Sequence, residues 1–436
     1  MTDALRWFLT ALDLTGVILL AVAFAQMLLA ALLPRVRHRP ARGGDALHFT
    51  FLIPALNEGR VIGATVTTLR TLAPDARVVV IDDGSDDHTA AVVQALAGQD
   101  SGIALLRRSL PYARRGKGEA LGWATRHLLD RLPTDDLQRE IFVVVDADGR
   151  ITPDLLPEAR AAMADPRVVG AQARVRIRPS ATGLSVQSVM GRMLEQQQDL
   201  EFTVIRSVQR LRHRWHTVGL CGNGQFMRAS YLHAQFTRGT PPWPDCLSED
   251  FASGLEMRLA SPEHRMVLLE AAVTQQGLPD LRRFLRQRAR WAQGTLQCWP
   301  YLPRVWQEPM PLRARLDLSY YLLGPWLSGV VTLCLLSQPL RWALHTHGLI
   351  LNPVIGGGLA VLTTGMQLHW LARYQHEQRL NAAQFVLLLL GQPLYGLVLS
   401  ASLLLAYRHH VTGRRAWDKT VRHVEAPDAL RVGSGD

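Results

Sequence analysis

The chain has 436 residues, of which 48% are hydrophobic and 19% charged, a balance that leans toward a membrane protein. A formal net charge of +11 fits basic cytoplasmic loops or an anionic substrate such as a nucleoside diphosphate, and no nucleic-acid partner is expected. The four cysteines, Cys221, Cys246, Cys298 and Cys334, lack Cys-x-x-Cys spacing, so they read as reduced thiols facing the cytosol, not as a zinc site or disulfide framework.

Leu14 to Leu33 is apolar apart from Thr15 and Gln26 and is long enough to cross a bilayer. It lacks the short core and small-residue cleavage site of a signal peptide, so residues 1–45 read as a membrane anchor. Arg35, Arg37, Arg39 and Arg42 follow it and place the next domain in the cytoplasm and the N-terminus outside. Residues 46–300 alternate strand and helix patterns and predict an α/β domain. His48 to Ile53 is a strand closed by Pro54, and Asn57-Glu58 opens a helix without the Gly-x-Gly-x-x-Gly of a dinucleotide site. Arg77 to Ile81 is a strand ending in Asp82-Asp83-Gly84-Ser85-Asp86, with Asp87 or Thr89 capping the next helix. Ile103 to Leu106 is a third strand, and Gly116-Lys117-Gly118 opens a further helix. The run Ile141 to Val145 reads as a buried parallel strand ending in Asp146-Ala147-Asp148-Gly149. Val168 to Ile177 is another strand, Leu184 to Leu211 a long helix, and Gly219 to Gln225 a glycine-rich turn. Ser248-Glu249-Asp250 precedes a helical run, and Leu281 to Trp299 is a basic amphipathic helix. In residues 301–410, Leu318 to Leu336, Leu349 to Leu371 and Phe385 to Tyr407 are each long enough to span. Three such spans would leave the tail outside, whereas Arg408, Arg414, Arg415, Lys419 and Arg422 argue for inside. A cytoplasmic tail over 411–436 is favoured, with one segment lying flat or re-entering and disorder expected after about residue 426.

Several clusters carry chemistry. Ligands bind at the carboxyl ends of strands in open α/β sheets. Asp146 and Asp148 would share a face there only if the chain stays extended, and could then hold Mg²⁺ or Mn²⁺. A strand-end turn rich in Asp and Gly is the plain alternative. Asp82-Asp83 could hydrogen-bond a base or ribose, or merely cap a turn. Lys117, between two glycines before a helix, suits a diphosphate, or is an exposed loop lysine. Asp250, at a helix start, is a candidate general base or a plain cap. Gln287, Arg290 and Trp291 share one face of a helix, where Arg290 could hold a leaving diphosphate and Trp291 could stack on a sugar. The same helix, with Arg282, Arg283 and Arg286, equally fits a membrane-surface element.

Asp82-Asp83-Gly84, Asp146-Ala147-Asp148, Ser248-Glu249-Asp250 and Gln287-Arg288-Ala289-Arg290-Trp291, in this order, resemble the processive membrane glycosyltransferases of family 2, such as cellulose and hyaluronan synthases. Pro54-Ala55-Leu56-Asn57-Glu58 and Gly116 to Leu121 match the early part of that family. The resemblance covers about residues 48 to 300. It implies a GT-A nucleotide-sugar domain, a mixed, mostly parallel sheet flanked by helices and embedded between transmembrane helices. It also implies an inverting transfer at the cytoplasmic membrane from a nucleotide sugar, a UDP-sugar first. By that likeness Asp82 or Asp83 contacts the base, and Asp146 and Asp148 place the donor and its Mg²⁺ or Mn²⁺. Asp250 is then the catalytic base, and Gln287, Arg290 and Trp291 bind the diphosphate and frame the acceptor. Glu58, Lys117, Glu249 and Asn223 complete the expected substrate-binding set, with Gly222-Asn223-Gly224 at the acceptor-contacting loop. Cellulose synthases carry Phe-Phe-Cys-Gly-Ser there and this chain has Gly-Leu-Cys-Gly-Asn, which leaves the acceptor open. Trp417-Asp418-Lys419-Thr420 resembles a tail element of some bacterial members.

Three functions compete. The first is a processive polysaccharide synthase, with membrane lipids around it and an accessory export subunit as a partner. The second is a single-addition enzyme acting on a membrane lipid. The third is a catalytically silent scaffold or transporter subunit, which the presence of Asp148, Asp250 and Arg290 opposes.

Overall fold

The computed structural model describes residues 3–39, 44–179, 186–344, 348–349 and 352–414. Arg42, the tail motif at 417–420 and the stretch after 426 lie outside these residues. The helices are α1 (Asp3–Leu32), α2 (Ile62–Leu72), α3 (Thr89–Ala97), α4 (Lys117–Leu129), α5 (Leu155–Met163), α6 (Val186–His213) and α7 (Ala229–Thr237). They continue with α8 (Glu249–Leu259), α9 (Leu281–Gln297), α10 (Leu302–Gln307), α11 (Leu312–Ala343), α12 (Pro353–Gln378) and α13 (Ala382–Val411). The strands are β1 (His48–Ala55), β2 (Arg77–Asp82), β3 (Ile103–Arg107), β4 (Glu140–Val144), β5 (Arg150–Ile151), β6 (Val168–Arg178), β7 (Gln225–Arg228) and β8 (Arg265–Gln276).

The strands form one sheet in the order β3-β2-β1-β4-β7-β6-β8-β5. The β1–β2, β1–β4, β2–β3 and β6–β8 pairs are parallel, while β7 is antiparallel to both its neighbours. The sheet is therefore mixed and mostly parallel, as the sequence predicts. Near-continuous apolar strands arise because both faces are covered. From β1 and β4, Phe51, Ile53, Ile141 and Val143 enter a core with α2, α3 and α5. The alternate residues Leu52, Phe142 and Val144 enter a second core with α4 and α7. Strand β1 runs through Pro54 to Ala55, beyond the expected stop, since Pro54 pairs opposite Ile81. Strand β8 has no counterpart in the sequence reading. Its apolar run is broken by Glu270, whose carboxylate is held by Arg210 at 2.5 Å.

Among the described residues, α1, α11 and α13 are long and apolar enough to cross a membrane by length and composition. Helix α12, expected as a span, falls short of that level. Helix α1 packs on α11 so closely that a Cβ at Gly16 would sit 2.7 Å from Cys334 Sγ. Asp13 accepts from Gln338 Nε2 (2.9 Å) and from the Leu349 amide (2.7 Å), with Arg341 Nη2 at 3.5 Å. At the other end of α12, Glu377 binds Arg174 (2.5 Å) on β6 and Arg206 (2.6 Å) on α6.

Arg206 is buried and Arg174 largely so. Removing their shared carboxylate leaves cations uncompensated, a loss of about 3–5 kcal/mol. Glu377→Gln should lower the thermal midpoint of the purified protein by several degrees, read by scanning fluorimetry; an unchanged midpoint would show that the cluster contributes little.

Candidate active site

The carboxyl ends of β1 and β4 and the first turns of α4 and α8 open onto one cavity of about 1510 Å³. At its centre, Lys117 Nζ donates to Asp146 Oδ1 (2.5 Å) and to the Gly222 carbonyl (2.8 Å). Lys117 reaches there because it is the first residue of α4 and Gly116, at φ +122°, lets the chain turn into the helix. Helices α4 and α8 meet at their starts: a Cβ on Gly118 would lie 3.2 Å from the Glu249 side chain. This brings Glu249 and Asp250 beside Lys117. Gly222, at φ +60°, passes between them, where an added Cβ would sit 3.0 Å from Asp250 Oδ2 and 3.6 Å from Lys117 Nζ.

The extended path proposed for Asp146 and Asp148 does not occur. Strand β4 stops at Val144, and a turn follows in which the Gly149 amide donates to the Asp146 carbonyl (2.7 Å). The plain turn alternative describes the backbone, yet both carboxylates still reach the cavity wall. Asp146 turns to Lys117, and buried Asp148 accepts from the Gln276 amide (2.8 Å) at the end of β8.

The remaining expected residues divide. Glu58, Asp83, Glu249, Asp250, Gln287, Arg290 and Trp291 line the cavity. Asp83 is held by Arg108 at 2.9 Å. Asp82 does not line it; fully buried, it accepts from the Ser85 amide (2.9 Å) and faces Arg107 (3.0 Å). Asn223 also lies behind the wall, where its Oδ1 accepts from the Asp146 amide (3.2 Å) and its Nδ2 donates to Gln275 (3.2 Å). On α9, Arg288 turns the opposite way, binding Glu201 (2.8 Å) and lying 4.3 Å from the Trp291 ring centroid. Reading the sequence missed Gln275, Gln276 and Arg212. The first two went with β8. Arg212 was hidden because its partner Asp317 (3.0 Å) and the Tyr321 ring beneath it (3.9 Å) lie about a hundred residues away.

Electrostatics follow from crowding. Burial alone would lower the Lys117 pKa, but Asp146, Glu249 and Asp250 outweigh it and hold the ammonium above its ordinary value. Burial, then the neighbouring Asp250, push Glu249 up to about 7 against the pull of Lys117. Asp250 is raised by burial too, with Lys117 opposing. Burial pushes the Cys221 thiol up to about 12, which removes it as a thiolate nucleophile.

A divalent cation is tested by the donor set. The described residues hold no cluster of three or more His, Cys, Asp or Glu able to bind one. Asp146 and Asp148 alone offer hard oxygen donors at the strand end, which fits a cation whose remaining positions go to water and substrate phosphates.

A family model described as "Glycosyltransferase like family 2" matches residues 46–294, the sheet, the cavity and most of α9. The chain belongs to glycosyltransferase family 2. This family 2 enzyme is 28% identical over 370 residues to a beta-monoglucosyldiacylglycerol synthase of Nostoc sp., covering 83% of this chain and 73% of that protein. A segment of 106 residues, 24% of the chain, is 31% identical to an undecaprenyl-phosphate mannosyltransferase of Micrococcus luteus, 40% of which it covers. A mannosyltransferase of Pyrobaculum calidifontis, solved with GDP-Man and Mn²⁺, superposes with a TM-score of 0.59 at 19% identity, over 92% of this chain and 99% of that one. That likeness shows the fold, a GT-A-like sheet with flanking helices.

Two predictions follow from this crowding. Gly222→Ala adds a methyl against Asp250 and strains a left-handed residue, so turnover should drop about 10²-fold with the fold retained by circular dichroism; undiminished turnover would mean that the loop yields freely. Glu249 is pushed up to about 7 and Asp250 is raised, so protonation of this pair should lower kcat/KM as pH drops between about pH 8 and about pH 5, with an apparent pKa belonging to the pair. In Glu249→Gln the like charge is gone and that limb should move to lower pH; an unmoved limb would assign it elsewhere.

Proposed function

We propose that this enzyme transfers a hexose from a nucleoside diphosphate sugar to a hydroxyl of a membrane lipid, with inversion and one addition per acceptor. The observation that carries this reading is the shape of the cavity. From Lys117, Asp146 and Asp250 it extends to an apolar wall made by Phe202, Ile205 and Val208 of α6 and Met27 of α1. A lipid would present its headgroup hydroxyl at the carboxylates and its acyl chains along that wall. The diacylglycerol and undecaprenyl-phosphate acceptors in the names of the relatives support the same class. They favour it over the processive synthase expected first, and a single addition needs no export subunit.

In this reading Asp250 takes the proton of the attacking hydroxyl, its raised pKa matching the task. The hydroxyl oxygen attacks the anomeric carbon from the face opposite the leaving nucleoside diphosphate. Arg290 and Lys117 stabilise the negative charge that develops on that diphosphate. Asp146 and Asp148 would hold Mg²⁺ or Mn²⁺, which when bound adds positive charge beside the diphosphate. Asn223 positions Asp146 by accepting from its backbone amide. Trp243, a buried residue of the wall, and Trp291 offer apolar surface for the sugar. Residues 1–45 and 301–410 anchor a cytoplasmic catalytic domain, 46–300, at the inner membrane, with a basic tail after it.

The test supplies purified protein in lipid nanodiscs with Mg²⁺ or Mn²⁺, labelled UDP- and GDP-hexoses, and diacylglycerol or polyprenyl phosphate. The expected product extracts into organic solvent with one sugar per lipid; a long polymer cut by a specific glycanase would overturn the reading. Asp250→Asn should lower kcat by about 10²–10⁴-fold while donor affinity stays within a few-fold. Normal turnover by the variant would remove Asp250 as the base.

A further inference from the structure

Hydropathy selects α13 as a membrane span and passes over α12. The contacts say the opposite. Two ion pairs define the two levels of the molecule. Asp317 near the start of α11 is bonded to Arg212 of the catalytic domain, and Arg341 near its end meets Asp13 of α1. About 36 Å of helix separates the two, enough to cross a bilayer core of about 30 Å. Helix α12 makes the return journey. It begins just after Leu349, whose amide donates to the same Asp13, and it ends with Glu377 bonded to Arg174 and Arg206 of the domain. Helix α1 covers the same interval from Asp13 to Ala31, whose carbonyl accepts from Arg373 (3.0 Å).

Helix α13 never leaves the level of the domain. It starts at Ala382, capped by Asn381 four residues after Glu377, and spans 30 residues. The Leu388 carbonyl accepts from Gln197 of α6 (2.7 Å), and the Tyr395 hydroxyl donates to Glu201 of the same helix. The Tyr395 ring stacks against Phe284 of α9 at 5.5 Å, and Ala406 packs between Ala289 and Leu296 of α9. Just past its end, the Arg414 carbonyl accepts from Gln293 of α9 (2.7 Å). Its contacts with the crossing helices stay toward the domain: Leu388 packs with Trp370, Leu371 and Tyr374 at the domain end of α12, and Tyr407, its ring 5.7 Å from Trp326, donates to the Pro325 carbonyl of α11 (2.5 Å), about 12 Å of helix beyond Asp317. A helix about 45 Å long with both ends and its middle tied to α6 and α9 lies along the domain. Its opposite side carries Leu390, Leu394 and Leu397, each at least 66% exposed, at i, i+4 and i+7 on one face.

We propose that α1, α11 and α12 cross the membrane and that α13 lies in its plane, with the Leu390–Leu394–Leu397 face in the acyl chains of the leaflet next to the catalytic domain. Three crossings put the start of α1 on the far side, and put residue 414 and the domain on the same side. The conflict between span parity and the basic residues after Tyr407 is thereby removed. The high hydropathy of α13 reflects burial on both sides, protein on one and lipid on the other.

The test measures depth in nanodiscs and does not use sugar transfer, so it succeeds or fails apart from the proposed activity. A nitroxide is attached through p-azidophenylalanine at Leu390, Leu397 or Leu404 of α13, and at Val354, Val361 or Leu368 of α12. Its relative exposure to oxygen and to a water-soluble nickel chelate gives the depth. The α13 positions should share one shallow depth within about 5 Å, while the α12 positions should run through the bilayer centre, about 15 Å deep. An α13 series passing through the centre, or an α12 series that stays shallow, overturns the proposal. As a second measurement that no helix substitution can disturb, an azide-reactive membrane-impermeant reagent is offered to Gly413 and Asp135 positions carrying the same residue. Both should label from one side of sealed vesicles; labelling from opposite sides overturns it.

Discussion

The site depends on one buried ammonium. Lys117 ties the end of β4, through Asp146, to the Gly222 loop and to the start of α8. The oxygens of Asp146, Gly222, Glu249 and Asp250 converge on one side of the cavity, and the ammonium among them offsets their mutual repulsion. The same charge sets the balance of the two carboxylates behind it. Burial raises the pKa of both Glu249 and Asp250, and Lys117 opposes the rise. A carboxylate in that condition can take a proton at neutral pH, which an exposed one does poorly.

Around this centre the sheet and the membrane helices do different jobs. The sheet delivers charged groups at its carboxyl edge, because parallel strands end together there. Helices α6 and α11 bring Phe202, Ile205, Val208, Tyr320 and Tyr321 to the other wall, and α9 adds Trp291 beside its polar Gln287 and Arg290. The two walls meet at Arg212, which is bonded to Asp317 and lies over Tyr321, so the catalytic domain and α11 are locked at the cavity itself. In the proposed reaction a polar donor and an apolar acceptor would face different materials in one space. This is the arrangement a reaction between a water-soluble nucleotide sugar and a lipid requires.

Much of this was legible in the residues. The apolar runs of β1, β2 and β4, the carboxylates that follow them, and the Gln287-Arg290-Trp291 face came directly from period and spacing. The turn at Asp146–Gly149 was legible as the plain alternative to an extended path, from its Asp and Gly residues, but strand periodicity alone could not choose between the two because it says nothing about where a strand stops. Strand β8 was invisible since Glu270 interrupts it, and its partners Arg210 and Val36 lie far off in sequence. With β8 went Gln275 and Gln276, which fix Asn223 and Asp148. Asp82 and Asp83 are adjacent and chemically equal in the sequence; only the Arg107 and Arg108 contacts separate a buried turn former from a cavity residue. Asn223 read as an acceptor contact only through the family resemblance of Gly222-Asn223-Gly224, while its side chain turns inward to the Asp146 amide and Gln275. The tie of α12 to the domain through Glu377 has no local signature at all.

The central claim is that the apolar wall receives an acceptor lipid. The most direct measurement is photocrosslinking of the enzyme in nanodiscs with a diacylglycerol carrying a diazirine halfway along one acyl chain. The account predicts adducts on the α6 segment that contains Phe202, Ile205 and Val208, suppressed by excess unmodified diacylglycerol. Adducts confined to the outer faces of α11, α12 and α13, unaffected by that competitor, would contradict it.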